Sequence, residues 1–208
     1  YAELTHDGRF LVLGIEDGYE TNGLYYQRLT TGRSGELVRL LDRWDARYEF
    51  LGAVGEVFYL LTTQSAPRGR IIAVSLAAPE PGNWREVVPE SSAAIASAAL
   101  IGGRLVLEYV QDAHAVLRLY KLEGKALAIG ELPGQGSVTG FPGTPDDPET
   151  FLAYTDFSTP RTVLKLDTVT GTVSPVAAGK PPIAADRFVR QMSRCRRSAL
   201  PHPGGLRR

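Results

Sequence analysis

The sequence is poor in the residues that most often betray chemistry. It has one cysteine, one methionine and three histidines. Cys195 cannot pair within the chain, which excludes a disulfide-stapled secreted fold. His6, His114 and His202 stand roughly a hundred residues apart and supply no metal-ligand spacing, so no metal or other cofactor is expected. Charge of one sign is also missing: 23 Lys+Arg balance 23 Asp+Glu. That removes the basic footprint a nucleic-acid partner would demand. Long apolar runs are absent too. The longest, Ala93 to Ile101, is broken by Ser97 and falls far short of the ~20 residues of a membrane span. The chain opens on Tyr1 without an initiator Met, so the lack of a signal peptide carries no weight. Between compartments, the reading favours the cytoplasm over the periplasm.

What the sequence does hold is 43% apolar residues in 208, enough for a real core and too many for a disordered chain. Amphipathic helical periodicity is nearly absent. Short runs rich in Val, Leu, Ile, Phe and Tyr recur instead, at Phe10–Ile15, Leu24–Leu29, Phe50–Val54, Val57–Leu61, Arg70–Leu76, Ile95–Leu100, Leu105–Val110, Ala115–Tyr120, Phe151–Tyr154 and Val163–Leu166. Turn chemistry separates them, as at Asp7-Gly8, Asn22-Gly23, Gly102-Gly103, Pro133-Gly134 and Pro142-Gly143. Their spacing is regular. Phe10, Phe58, Leu105 and Phe151 mark one strand of each unit, and Tyr25, Ile71, Leu117 and Leu164 mark the next, both at a pitch near 47 residues. A weaker strand closes each unit at Val38–Leu41, Trp84–Val88, Leu127–Ile129 and Thr172–Val176. A four-strand repeat of that length is the signature of a β-propeller blade.

The expected fold is therefore all-β, a β-propeller fragment of about four consecutive four-stranded blades. The units run about 1–44, 45–90, 91–133 and 134–178. Residue types agree with blade positions. Middle strands covered on both faces read as near-continuous apolar runs, as in Val57–Leu61 and Arg70–Val74. Innermost strands at a crowded channel favour small residues, as in Ala93–Ala99 and Gly136–Gly140. The outer strand Trp84–Val88 alternates. The first unit has at most a remnant of its innermost strand at Tyr1–Leu4, so the chain is expected to be a piece of a larger propeller. Residues 181–208 form a basic tail with no acidic residue after Asp186 and arginines at 187, 190, 194, 196, 197, 207 and 208. A disordered or non-native end is preferred there to a segment that docks an acidic partner.

Searches for chemistry return turns and inner strands. No Gly-x-Ser-x-Gly nucleophile elbow is present, since Gly136-Ser137-Val138-Thr139-Gly140 and Gly32-Arg33-Ser34-Gly35 have the wrong spacing. Gly134-Gln135-Gly136 lacks the third glycine of a dinucleotide loop. His114 with Asp112, and His6 beside Asp7-Gly8, read as turn residues rather than a base with its orienting carboxylate. Asp146-Asp147-Pro148-Glu149 lacks calcium-ligand periodicity and reads as a solvated turn. Neither Trp44 nor Trp84 sits in a stacking arrangement for sugars or bases.

Several segments resemble the propeller domain of the prolyl oligopeptidase family of serine peptidases. Leu60-Leu61-Thr62-Thr63-Gln64-Ser65-Ala66-Pro67-Arg68-Gly69-Arg70-Ile71 is similar to the family's strand–turn–strand segment with its Ala-Pro-Arg-x-Arg turn, although Thr63 and Ser65 replace the more usual Asn and Asp. Asn83–Glu90 is similar to an outer strand ending in Pro-Glu. Glu108–Ala113 with Leu117–Tyr120, Pro133–Gly140, Thr155–Pro160 and the opening Asp7–Val12 extend the likeness over about Leu4 to Lys180. The resemblance implies a seven-bladed propeller capping a C-terminal α/β-hydrolase domain that carries the catalytic serine, aspartate and histidine. That domain is not found in this sequence, so the chain alone is expected to be inactive. The implied role is substrate gating, admitting short proline-containing peptides and excluding folded proteins. Arg68 and Arg70 are the candidate gating residues, because arginine forks suit a peptide carboxylate. A surface turn with Arg70 in an outward ion pair is the plainer reading of the same residues. The competing assignments are a stand-alone protein-interaction propeller, the equivalent domain of an oligopeptidase B-like enzyme, and a propeller enzyme of the lactonase or sialidase sort. The last would need convergent charges on innermost strands that here read as Ala-, Ser- and Gly-rich.

Overall fold

A computed structural model describes residues 1–30 and 33–176 of the chain. The expectation for the tail at 181–208 lies outside the described residues. The fold is all-β, with four antiparallel four-stranded sheets whose order in space follows the sequence. The first holds β1 (Ala2–Leu4), β2 (Phe10–Asp17), β3 (Thr21–Thr30) and β4 (Arg33–Leu41). The second holds β5 (Tyr48–Val54), β6 (Val57–Thr62), β7 (Arg70–Ser75) and β8 (Arg85–Val88). The third holds β9 (Ala94–Ile101), β10 (Arg104–Gln111), β11 (His114–Lys121) and β12 (Ala126–Leu127). The fourth holds β13 (Ser137–Thr139), β14 (Glu149–Thr155), β15 (Thr162–Asp167) and β16 (Val173–Pro175). These are the four-stranded blades of a propeller.

The core lies between sheets, in three slabs. Between the first and second sheets, Phe58 is fully buried and meets Phe10, Phe50 and Tyr26 edge-on at centroid distances of 5.3, 5.0 and 5.7 Å. Edge-to-face aromatic packing fills the wedge between two twisted sheets that cannot interdigitate along their whole length. Tyr59, Ile71, Leu105, Leu107 and Tyr109 fill the second slab; Val106, Leu117, Leu152, Tyr154 and Leu164 fill the third. Strand patterns report this coverage. The β6 strand, sandwiched on both faces, is buried nearly throughout. The β14 strand, with a sheet on one side only, alternates. Leu4, Ile15 and Leu37 on the first sheet, and Phe151 and Val163 on the fourth, stay exposed for the same reason.

Three details differ from the sequence reading. The regular pitch marks strands but not faces: Phe10 and Phe58 point into the same slab from opposite sheets, whereas Phe151 points outward. Asn22-Gly23 is not a turn. It lies inside β3, and the Asn22 amide accepts from the Tyr48 N–H at 2.6 Å and donates to the Tyr48 carbonyl at 2.8 Å, bracketing the start of β5. The innermost strand β5 is also not small, because Tyr48 and Phe50 on one of its faces belong to the aromatic slab.

The two ends of the stack are unlike. At one end lie the turns from first to second strand and from third to fourth strand, and these are laced together. Glu56 accepts a bidentate pair from Arg28 at 2.8 and 2.6 Å and also pairs with Arg9, joining the first sheet to the second. Gly102 and Gly103 donate to the Thr144 and Pro145 carbonyls, joining the third to the fourth. His6 reaches Asp146 at 3.0 Å, joining the first to the fourth. The opposite end carries the turns from second to third strand, the links between sheets, and open grooves.

Replacing Phe58 by alanine is expected to cost about 3–5 kcal/mol, read from urea unfolding, because three aromatic partners lose their common contact; a loss under about 1 kcal/mol would contradict the slab. A second expectation concerns the β14–β15 turn. Burial opposes ionisation of Asp156, but the Tyr154 hydroxyl and the Ser158 and Thr159 amides outweigh it and bring its pKa down to about 2. Because the folded value is depressed from the ordinary 3.8, the turn's stabilisation is complete above that value and fades as pH falls toward about 2. Carbon-detected NMR titration of Asp156 should show this low midpoint, and a midpoint near the ordinary value would refute it.

Candidate functional site

Three cavities open at the unlaced end, one at each junction between consecutive sheets. The first, about 180 Å³, lies between Glu16 and Tyr19 of the first sheet and Arg47 and Glu49 of the second. The second, about 310 Å³, is shared by Arg47, Glu49 and Arg68 on one side and Ala94, Ile95 and Ala96 of β9 on the other. The third, about 300 Å³, runs between β11 and the link at residues 129–135. Arg47 and Glu49 line both of the first two, so those grooves adjoin across the start of β5. Tyr19 and Phe157, in turns at this same end, are almost wholly exposed.

The turn that presents Arg68 is built locally. Thr62 Oγ1 accepts from Gln64 N–H at 3.0 Å, and the Ala66 and Gly69 amides donate to the Thr63 and Ala66 carbonyls. Gly69 has φ +87°, and a Cβ there would press on Leu61 and Ile95 at 3.1 and 3.3 Å, so glycine lets the turn close against β9. The Arg68 amide donates to Glu90 at 2.7 Å and its carbonyl accepts from Ile95 N–H at 2.8 Å, anchoring the turn to the next sheet. Arg68 is exposed, beside the second groove. Arg70 goes elsewhere. Its guanidinium donates to Glu86 at 3.1 Å and to Gln64 at 2.6 Å, away from the groove lining. The two candidate arginines thus do not converge.

Arg47, which precedes β5 and was not singled out by the sequence reading, lines the same groove as Arg68. Its neighbour Glu49 has a pKa raised by burial, with the Arg47 charge opposing. Glu3 on β1 is raised by burial and by the charge of Glu49. Innermost strands therefore do carry charge here, at positions where alternation on a short strand gave no motif to notice. Along this end, cationic Arg47 and Arg68 alternate with anionic Glu16 and Glu49, a two-signed surface over an alanine- and isoleucine-lined floor.

The remaining sequence candidates are placed as turn or packing elements. His114 Nδ1 lies 3.4 Å from the Asp112 carbonyl rather than from its carboxylate. Asp147 caps its own loop by accepting from the Thr144 amide at 2.6 Å. Trp84 donates to the Pro79 carbonyl at 2.8 Å and meets Tyr48 edge-on at 6.1 Å. Among the described residues, no group of three or more His, Cys, Asp or Glu could hold a metal ion, and no helix is long and apolar enough to cross a membrane.

Comparison with known proteins agrees with this architecture. The model of the prolyl oligopeptidase N-terminal β-propeller domain matches residues 1–178. The prolyl endopeptidase of Elizabethkingia meningoseptica is 26% identical over 170 residues, covering 82% of this chain and 24% of that protein. Prolyl oligopeptidase dbiP of Dendrothele bispora is 30% identical over 175 residues, covering 79% and 23%. A solved structure from work on two prolyl endopeptidases and the role of inter-domain dynamics in their catalysis and specificity superposes with a TM-score of 0.81 at 33% identity, over 89% of this chain and 27% of that one. Prolyl oligopeptidase B of Galerina marginata, bound to a 35mer hydrolysis and macrocyclization substrate, shares the fold with a TM-score of 0.78 at 22% identity. The chain spans about a quarter of the length of the curated relatives it matches. With the family's propeller model covering every described strand, the chain belongs to the prolyl oligopeptidase family, within its N-terminal β-propeller domain.

Proposed function

We propose that these four blades serve as the substrate-gating part of a prolyl-oligopeptidase-like serine endopeptidase acting on short proline-containing peptides. The observation that carries this reading is the asymmetry of the stack. One end is tied together by Glu56, Gly102, Gly103 and Asp146, and the other opens grooves at every sheet junction. In this reading the grooved end looks toward a C-terminal α/β-hydrolase domain, where peptides in transit meet its charged rim. Arg68 offers a guanidinium to a peptide carboxylate, and Ile95 and Ala96 give a floor on which an apolar side chain or a proline ring can rest. Arg70, held by Glu86 and Gln64, keeps the turn in shape. The chemistry of bond cleavage belongs to the other domain, and a blade supplies access and position only.

The chain by itself is expected to give no turnover of a proline-containing chromogenic peptide and no labelling by a serine-directed covalent probe; either signal would overturn the assignment of a non-catalytic role. In a polypeptide that joins these blades to a family hydrolase domain, Arg68→Ala should raise KM about three- to tenfold for short peptides with a free C-terminal carboxylate, leaving kcat and C-amidated peptides unaffected. Equal effects on both peptide classes would remove Arg68 from substrate contact. Arg70→Ala should lower the unfolding midpoint with no such split.

A further inference from the structure

Two separate demands of the first junction put an asparagine and a glycine side by side. Asn22 is 4% exposed, and its side-chain amide holds the Tyr48 N–H and carbonyl at 2.6 and 2.8 Å. Its own N–H donates to the Ala46 carbonyl at 3.2 Å, just ahead of the second sheet. Gly23 answers a different need. A Cβ there would come within 3.0 Å of the Tyr25 ring, 3.3 Å of the Leu41 carbonyl oxygen and 3.4 Å of the Trp44 ring, so a bare α-carbon suits this close cover.

The pair that results is chemically labile. In an open chain the main-chain nitrogen after an asparagine can attack the side-chain amide carbon, and glycine, without a Cβ, gives that nitrogen the freest approach. The chain's other asparagine, Asn83, is exposed, but the bulky Trp84 follows it. The fold holds the reacting atoms of Asn22-Gly23 apart. The amide is pinned at both its oxygen and its nitrogen by the second sheet. Gly23 stands opposite Ile15 in the β2–β3 ladder. Gly14 bonds outward to Tyr1 and Asn22 outward to Ala46, so the alternation of antiparallel strands turns Ile15 and Gly23 toward each other and ties up the Gly23 N–H. Only the pairs Glu16↔Asn22 and Asp17↔Thr21 separate Gly23 from the end of that ladder. Once the second sheet draws away, this end can fray.

We infer that Asn22-Gly23 is a self-modification site, shut while the first and second sheets are joined and released when they part. On release the Gly23 nitrogen gives its proton to solvent base and attacks Asn22 Cγ. The N–Cγ bond forms as the Cγ–Nδ2 bond breaks, and Nδ2 takes a proton from water and leaves as ammonia, so that a succinimide remains. Water then opens the ring. Addition at Cγ gives aspartate; addition at the Asn22 carbonyl carbon gives isoaspartate, whose main chain runs through Cγ. No electrons are exchanged with any other reagent. Neither product rebuilds the junction, because a carboxylate has no proton to give the Tyr48 carbonyl and an isoaspartyl link lengthens the strand. A parting of the two blades is thereby recorded covalently and made permanent. This rests on the junction alone and stands whether or not the gating reading does.

Ageing of the full chain at mildly alkaline pH tests it, followed by peptide mass spectrometry for the exchange of NH2 for OH and by enzymatic methylation of isoaspartate. Conversion of Asn22 is expected in denaturing urea, with Asn83 unchanged over the same period, and should be about tenfold slower or more in the folded chain. Phe58→Leu, which loosens the first slab, should speed conversion in the folded chain about three- to tenfold. Leu152→Val, which loosens the third slab, should leave it unchanged. Asn22→Asp should leave the amide of residue 22 about tenfold less protected from hydrogen exchange, while retained protection in the third sheet certifies the fold. No conversion in urea, equal rates in the folded and unfolded chain, equal acceleration by the Phe58 and Leu152 variants, or full protection at residue 22 in Asn22→Asp would each overturn the proposal.

Discussion

A four-stranded antiparallel meander of this composition has two apolar faces and can bury neither alone. Everything else in the molecule follows from that constraint. Each sheet must be covered by a neighbouring sheet, so the core is divided into three slabs between adjacent sheets rather than gathered at a centre. Stability is then carried mainly by contacts between neighbours, as in other stacked-repeat proteins. The slabs differ in contents: rings such as Phe58, Phe10 and Tyr26 fill the first, and the second sets Ala73, Ala93 and Ala98 beside Tyr59 and Tyr109.

Slab packing leaves the two ends of the stack free to specialise. Polar links at one end, through Glu56 and the Gly102-Gly103 turn, connect neighbouring sheets. At the other end the chain crosses from sheet to sheet, and a groove at each junction brings residues from different sheets to its rim. Arg47 and Glu49 share a groove with Arg68 because the inner strand of one sheet begins beside the turn of the same sheet and the inner strand of the next. Binding capacity here is a by-product of how the chain crosses from blade to blade.

The architecture was legible because strand period, turn residues and the 47-residue pitch are all local signals, and they agreed. Orientation was less so. Phe151 occupies the same place in the count as Phe58, but which face a strand residue takes depends on a one-residue phase that pitch does not record. Asn22-Gly23 has the composition of a hairpin turn, yet the structure uses the amide to hold another sheet, a tertiary demand that local propensity does not express. The groove residues were partly visible. Arg68 stood out because a specific turn sequence surrounds it. Arg47 and Glu49 carry no motif and gain meaning only from the strand beside them.

The Asn22 bracket has a consequence for which substitutions the first junction tolerates. Its two hydrogen bonds go to the main chain of Tyr48, so they are indifferent to the side chain at 48. Position 22 enjoys no such freedom. Only a primary amide on a single methylene both donates and accepts at that reach; aspartate loses the donor, serine one of the two ends, and glutamine overshoots. The main-chain bracket at this end of the seam therefore rests on one letter of the chain.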